Sequence, residues 1–220
     1  MRVSKEILDY LKNSDSRLRR VIEEIGDLQI NSYNSTSDEF HFLVREIVGQ
    51  MISSSVKKVL LQRLQLLCDN NICPKTLANL TVEQLHSIGL SNAKSGYIRN
   101  LAIMVSSNAI DFDYINSLED EDVIKELVKI KGIGKWTSKM YLIFFLQREN
   151  ILPYEDGAFL QAYKWLYNTK KITPDSISRK CKKWKPYQSI GARYMYQALD
   201  RGLTKIPLKD FLDLYEKGND

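Results

Sequence analysis

Histidine is nearly missing from this 220-residue chain, which holds only His41 and His86. A zinc site built on histidines, or a Ser-His-Asp triad, therefore has almost no material. Cysteine is scarce too. Cys68, Cys73 and Cys181 are odd in number and have no CxxC spacing, which argues for reduced, partly buried thiols rather than a disulfide framework. No apolar run approaches the ~20 residues that span a bilayer. The opening MRVSKEILDY becomes charged too soon for a secretory signal. The expectation is an intracellular protein without membrane contact, cytoplasmic and nucleoid-associated, or nuclear in a eukaryote. No stretch alternates with period two over strand length, so no sheet is expected. Chemistry in such a chain must run on carboxylate, amide and aromatic groups.

What is present points to helices. A hydrophobic content of 44% supports a real core, and the length suits one domain, or two small lobes around a shared cleft. Val3 to Ile25 reads as two short amphipathic helices broken near Asn13-Ser14. Phe40, Leu43, Val44, Ile47, Val48 and Met51 recur at helical spacing after the N-cap pair Ser37-Asp38. Ser53-Ser54-Ser55 interrupts the pattern before Val56 to Leu67 resumes it. Thr81 to Gln84 forms a capping box for a helix that stops at Gly89, Ser91 caps the next, and Thr173-Pro174 opens a third. Pro186 and Pro207 are expected to start two more. Trp136 to Leu146 is apolar all around and is expected to be buried on every side. Asn31 to Ser37 reads as a polar connector. The class is all-α.

Net charge is +5, unevenly spread: between Gln161 and Lys205 there are 11 Lys/Arg against 2 Asp/Glu. A basic surface attracts a polyanion and makes binding salt-dependent. The most telling segment is Gly132-Ile133-Gly134, set between two apolar stretches. Two glycines one residue apart permit a tight reversal between helices, and the turn feeds a helix whose first amides have no intrahelical partner. Such an end receives an anion. Lys131, Lys135 and Lys139 surround it, which points to a nucleic-acid phosphate and a helix-hairpin-helix motif. A helix from Ala158 to Tyr167 follows, with Asp156 at its start in Leu-Pro-Tyr-Glu-Asp-Gly. Capping alone is the bland role for that carboxylate.

The ordered set GIGKWT, a helix, then Pro153 and Asp156 resembles the helix-hairpin-helix DNA glycosylase superfamily. DEFHFLVREIVGQMISSSV (Asp38 to Val56), IGLSNAKSGYIRNLA (Ile88 to Ala102) and WKPYQSIGARYMY (Trp184 to Tyr196) resemble further segments of that family in its order. The likeness covers roughly residues 38–202 and is greatest to the alkylpurine (3-methyladenine) branch. It implies two helical subdomains flanking a cleft. One would be a barrel-like lobe over 38–147 that carries the hairpin, the other a lobe built from 1–30 and 148–220.

The resemblance also implies roles. Asp156 would be the catalytic carboxylate, stabilising the positive sugar that forms as an N-glycosidic bond breaks, with Glu155 its neighbouring competitor. Relatives with lyase activity place a Lys two residues after the second hairpin glycine; here that residue is Trp136, with Lys135 one position early. This implies a monofunctional enzyme that releases alkylated purines from double-stranded DNA and leaves an abasic site. Its rivals are a non-catalytic reader of damaged DNA and a glycosylase with lyase activity on oxidised bases. Trp136, Met140 and Tyr196 would line the base pocket. Gly132, Ile133, Gly134, Lys135 and Thr137 would hold the backbone, Lys135 and Thr137 as side-chain donors. Asn92, with Leu90 beside it, would wedge into the duplex, and Gln50 would face the opposite strand or cap its own helix. Gln188 stands where the family has Arg, which weakens a structural or phosphate contact. A monovalent cation, Na+ or K+, would sit on the carbonyls of Val128, Ile130 and Ile133. The iron–sulfur loop of some relatives needs four cysteines, which this chain lacks. A monomer is expected.

Overall fold

The computed structural model describes residues 3–28 and 39–216. The expected connector Asn31 to Ser37 and the cap pair Ser37-Asp38 lie outside the described residues. No strand occurs among those described. The helices are α1 Lys5–Ser14, α2 Ser16–Ile25, α3 Glu39–Gly49, α4 Ser54–Leu67, α5 Pro74–Asn79, α6 Val82–Ser87, α7 Asn92–Ser106, α8 Phe112–Ser117, α9 Asp120–Leu127, α10 Lys135–Met140, α11 Gly157–Tyr167, α12 Pro174–Cys181, α13 Gln188–Asp200 and α14 Leu208–Glu216.

Local chemistry sets most of these boundaries. The Ser53 hydroxyl caps α4, Ser91 caps α7 and Thr173 caps α12, with Pro174 in its first turn. Thr81 and Gln84 close a reciprocal capping box at α6, which satisfies two amides that a helix start otherwise leaves open. The break between α1 and α2 falls at Asp15, one residue past the expected Asn13-Ser14. Its carboxylate caps α2 through the amides of Arg17 and Leu18. Pro186 and Pro207 do not begin helices. Each lies just ahead: α13 starts at Gln188 behind Tyr187, and α14 starts at Leu208.

The chain divides into two compact units, Tyr33–Leu146 and Met1–Ser32 with Gln147–Asp220. In the first, α7 packs against α3, α5 and α6, and α10 packs against α9 and α3. Its buried side chains include Leu43, Ile47, Leu64, Leu101 and Leu142. The apolar stretch after the hairpin departs from the expected all-round burial. The α-helix ends at Met140 and a π-helical turn, Tyr141–Phe145, takes over, with Tyr141 stacked on Phe145 at 4.8 Å. Trp136, Phe144, Phe145 and Leu146 are only half-buried, while Thr137 to Ile143 are covered.

In the second unit α11 and α13 pack together and α2 lies against both. Leu18, Ile22, Phe159, Tyr163, Leu166, Trp184 and Tyr194 form its core. No helix among the described residues is long and apolar enough to cross a membrane.

Candidate nucleic-acid interface and active site

The hairpin follows α9 as a run of short turns. The Ile130 amide donates to the Leu127 carbonyl at 3.1 Å and the Ile133 amide to the Ile130 carbonyl at 3.0 Å. The two glycines do different work. Gly132 holds φ +96°, and a Cβ placed there would lie 2.3 Å from Cγ of Tyr97. Conformation and close packing both demand glycine at that point. Gly134 is extended, φ −103° and ψ −179°, and opens α10 with no side-chain cap; a Cβ there would meet no atom within 4 Å. Its lack of a side chain leaves the helix start bare.

Two side chains distant in sequence fix this turn. Gln50, just after α3, donates from Nε2 to the Gly132 carbonyl at 2.9 Å and to the Thr137 hydroxyl at 3.3 Å. Lys94 on α7 donates to the carbonyls of Val48 and Gln50 at 2.9 and 2.6 Å, closing the C-terminus of α3. Desolvation holds the Lys94 ammonium below its ordinary pKa. Gln50 therefore braces the hairpin instead of capping its own helix. Nothing local in the sequence singles out Lys94, because the carbonyls it reaches lie 44 and 46 residues away.

Three further expectations change. Lys139 is buried, only 7% exposed, so it does not stand beside the hairpin as a phosphate ligand; Lys131 and Lys135 are exposed. Thr137 is also buried, and its hydroxyl accepts from Gln50. It is part of the brace, not a donor toward DNA. Leu90 is fully buried and cannot wedge into a duplex, whereas Asn92 is exposed in the first turn of α7. Ile133 and Met140 are buried in this unit, and Trp136 is half-buried at the start of α10. The side chain that does stand out is Met51, fully exposed in a left-handed backbone conformation, φ +57°, beside the Gln50 brace. Methionine at helical spacing reads as core, so only the structure exposes it.

In the other unit Asp156 lies in a tight turn, its amide donating to the Pro153 carbonyl at 3.0 Å. Its Oδ1 accepts the Phe159 amide at 2.7 Å, capping α11, and the residue is 8% exposed. Glu155, next to it, is exposed. The start of α13 steadies the approach to this turn. The Ser189 amide donates to the Glu149 carbonyl at 2.9 Å, and the Ser189 hydroxyl accepts the Ile151 amide at 2.9 Å. Tyr196 is half-buried against the core, and the helix is covered on both faces, since Ser189 and Ala192 are buried as well as Tyr194 and Ala198. Gln188 is buried and donates to the Cys181 carbonyl at 3.0 Å. Its contact is structural.

A family model described as HhH-GPD superfamily base excision DNA repair protein matches residues 44–186. This chain belongs to that superfamily. It is similar to DNA-3-methyladenine glycosylase 1 of Schizosaccharomyces pombe, 24% identical over 192 residues that cover 86% of this chain and 84% of that one. Among solved structures it resembles a DNA-3-methyladenine glycosidase from Bacillus halodurans, with TM-score 0.74, 29% identity, and coverage of 90% of this chain and 91% of that one. An S. pombe 3-methyladenine DNA glycosylase in complex with abasic DNA shares the fold at TM-score 0.80 and 23% identity, covering 88% of this chain and 96% of that one.

One polar network of this HhH-GPD chain has no counterpart in the sequence reading. Asp15 is buried, and its Oδ2 accepts from the Tyr167 hydroxyl at 2.5 Å, from Trp184 Nε1 at 2.8 Å and from Lys183 at 3.1 Å. It joins α2, α11 and the 3-10 turn Lys182–Trp184. Burial pushes the Asp15 carboxyl pKa up, but the Tyr167 and Trp184 hydrogen bonds and Lys183 together outweigh it and hold the pKa below its ordinary value. The folded pKa thus lies below the unfolded one. The resulting stability is present above the unfolded value, about 3.9, and is lost as pH falls through the lowered folded value. Asp15→Ala is expected to cost about 3 kcal/mol, since two buried donors lose their acceptor. Urea denaturation of both proteins at pH 7 and again at about pH 3 checks it, with the difference shrinking at the lower pH.

Proposed function

We propose that this HhH-GPD protein is a monofunctional DNA glycosylase that hydrolyses the N-glycosidic bond of alkylated purines such as 3-methyladenine in duplex DNA, leaving an abasic site. The carrying observation is Asp156, a nearly buried carboxylate whose Oδ1 is fixed by the Phe159 amide at 2.7 Å. A carboxylate held in a low-dielectric setting stabilises a developing oxocarbenium ion without reorganising first. In this reading it also orients or deprotonates the attacking water. Alkylated purines ask little more, because a cationic base is already a good leaving group. The names carried by the relatives support the same substrate class.

The bare N-terminus of α10, with Gly132 and Gly134 before it and exposed Lys131 and Lys135 beside it, suits a DNA backbone phosphate. Hairpin carbonyls are hard oxygen donors, a class that suits Na+ or K+. The Ile130 carbonyl, already an acceptor for Ile133, keeps a second lone pair for such an ion. Trp136 replaces the amine that a lyase needs for a Schiff base. In our reading Trp136, Met140 and Tyr196 remain the candidates for lining the pocket of an extruded base, the two aromatics by stacking on it. The protein acts on double-stranded DNA as a monomer, wherever the cell keeps its DNA.

Flipping a base leaves a gap that a side chain fills. We assign that role to Met51 rather than Asn92, because Met51 is a fully exposed apolar side chain that directly follows Gln50, whose side chain is tied to the Gly132 carbonyl of the hairpin. Met51→Ala is expected to leave stability within about 0.5 kcal/mol and to lower base excision roughly tenfold, on the order of 1.4 kcal/mol. Asn92→Ala should stay near wild type. Single-turnover excision on a lesion-bearing duplex distinguishes the two.

A duplex carrying one alkylated purine tests the reaction class. The expected product breaks only after hot alkali, and borohydride does not trap protein on DNA. Trapped enzyme, or strand scission without alkali, would assign a lyase instead.

A further inference from the structure

Outside the hairpin and the Asp156 turn, the densest concentration of one charge lies in the unit built from α1, α2 and α11–α14. Between Ser176 and Leu199 the sequence has no Asp or Glu, and Arg179, Lys180, Lys182, Lys183 and Lys185 fall within seven residues. All five are exposed. They do not form an even coat. The Lys180 and Lys183 ammonium groups turn back over the Tyr167 ring, 4.8 and 5.5 Å from its centroid. Arg17 from α2 joins them around a cleft of about 330 Å³. Arg17 is itself placed, since Nη1 donates to the Leu166 carbonyl at 3.1 Å.

Among the described residues the one acid lining this cleft is Asp15, and its oxygens already serve Tyr167, Trp184, Lys183 and two backbone amides. The lining carries Arg17, Lys180 and Lys183 against Asp15, a balance of 3 − 1 = +2. Three cations from separate elements around one concavity match the demands of a phosphate group.

We propose that this cleft binds a backbone phosphate of a nucleic-acid strand, a second phosphate contact on a different unit from the hairpin. A strand is favoured over a small free anion because the cations continue past the cleft at Arg179, Lys182 and Lys185, more than one phosphate requires. The inference rests on the DNA-binding reading above and adds a contact to it.

The test compares a pair made of Lys180→Glu in the cleft and Lys182→Glu on the cationic run that continues past it, called the cleft pair, with a matched pair on the same unit outside both, Lys205→Glu/Lys209→Glu. Duplex affinity is measured by anisotropy across a salt series, with thermal melting to verify that both fold. The cleft pair is expected to weaken binding about tenfold at roughly 100 mM salt and to flatten the salt slope by about one to two, well beyond the matched pair. In wild type, duplex DNA should shield Lys180 and Lys183 from reductive methylation, read by mass spectrometry, where inorganic phosphate at equal phosphate concentration does not. Equal effects of the two pairs overturn the proposal. So does shielding by inorganic phosphate without loss of duplex affinity, which would assign a small-anion site. A wild type that binds no duplex at any salt overturns the DNA-binding reading, and this inference with it.

Discussion

Asp156→Asn is expected to lower base release by about 10²–10³-fold, the scale seen when one preorganised electrostatic stabiliser is removed from a reaction centre. The substitution is informative because Asp156 has two separable jobs. Its Oδ1 caps α11 by accepting the Phe159 amide at 2.7 Å, and Asn caps a helix about as well as Asp. The fold should therefore stay within about 0.5 kcal/mol of wild type while the negative charge disappears. Asp156→Ala removes the cap as well and should cost about 1 kcal/mol of stability in addition. DNA affinity should hold or rise in the Asn variant, since a carboxylate no longer faces a polyanion. The loss should be larger for a neutral lesion than for a cationic one, whose leaving group needs less help. Single-turnover rates with melting curves for both variants check each part. Unchanged release by Asp156→Asn moves the chemistry to another group, with the exposed Glu155 next in line.

Gly132→Ala is expected to lose about 3–5 kcal/mol, enough to unfold much of a marginally stable domain. Two costs combine. The backbone there sits at φ +96°, a region L side chains enter only with strain of about 1–3 kcal/mol. A Cβ would also lie 2.3 Å from Cγ of Tyr97, with Cβ and Cδ2 of the same side chain at 2.6 Å, and overpacking of that kind adds about 1–3 kcal/mol. The neighbouring glycine should behave in the opposite way. Gly134→Ala meets no atom within 4 Å at φ −103°, so the fold should survive. Duplex affinity should fall, because a methyl group now stands at the uncapped end of α10 where a phosphate would approach. Chemical denaturation and anisotropy on both variants separate a structural glycine from an access glycine. Equal stability of the two would contradict this division.

The sequence made the helical class and most helix starts legible because short-range chemistry decides them. Thr81 with Gln84, Ser91 and Thr173 each satisfy amides within three residues, and that information is local. The hairpin was legible for the same reason, in the spacing of Gly132 and Gly134. What escaped is set by contacts between distant residues. Lys135 and Lys139 look alike as charges, yet Lys139 lies about 6 Å further along the helix axis, where neighbouring elements cover it. Gln50 reaches a carbonyl 82 residues away, a tie that no periodicity encodes. Asp15 reads as a helix break, and its bonds to Tyr167 and Trp184 span more than 150 positions. The π-helical turn leaves no compositional mark, since Tyr141–Phe145 is as apolar as an α-helical core segment would be. Met51 shows the converse. Its apolar character fits a core pattern, and only the left-handed backbone turns it outward.

The most direct test of the central claim is chromatography of the bases that wild-type protein releases from methylated duplex DNA. The account predicts free 3-methyladenine, with abasic sites appearing in equal number and no strand breaks before alkali. Tight binding to the same DNA with no methylated purine in the eluate would contradict it, and would make the protein a reader of damage rather than an enzyme that removes it.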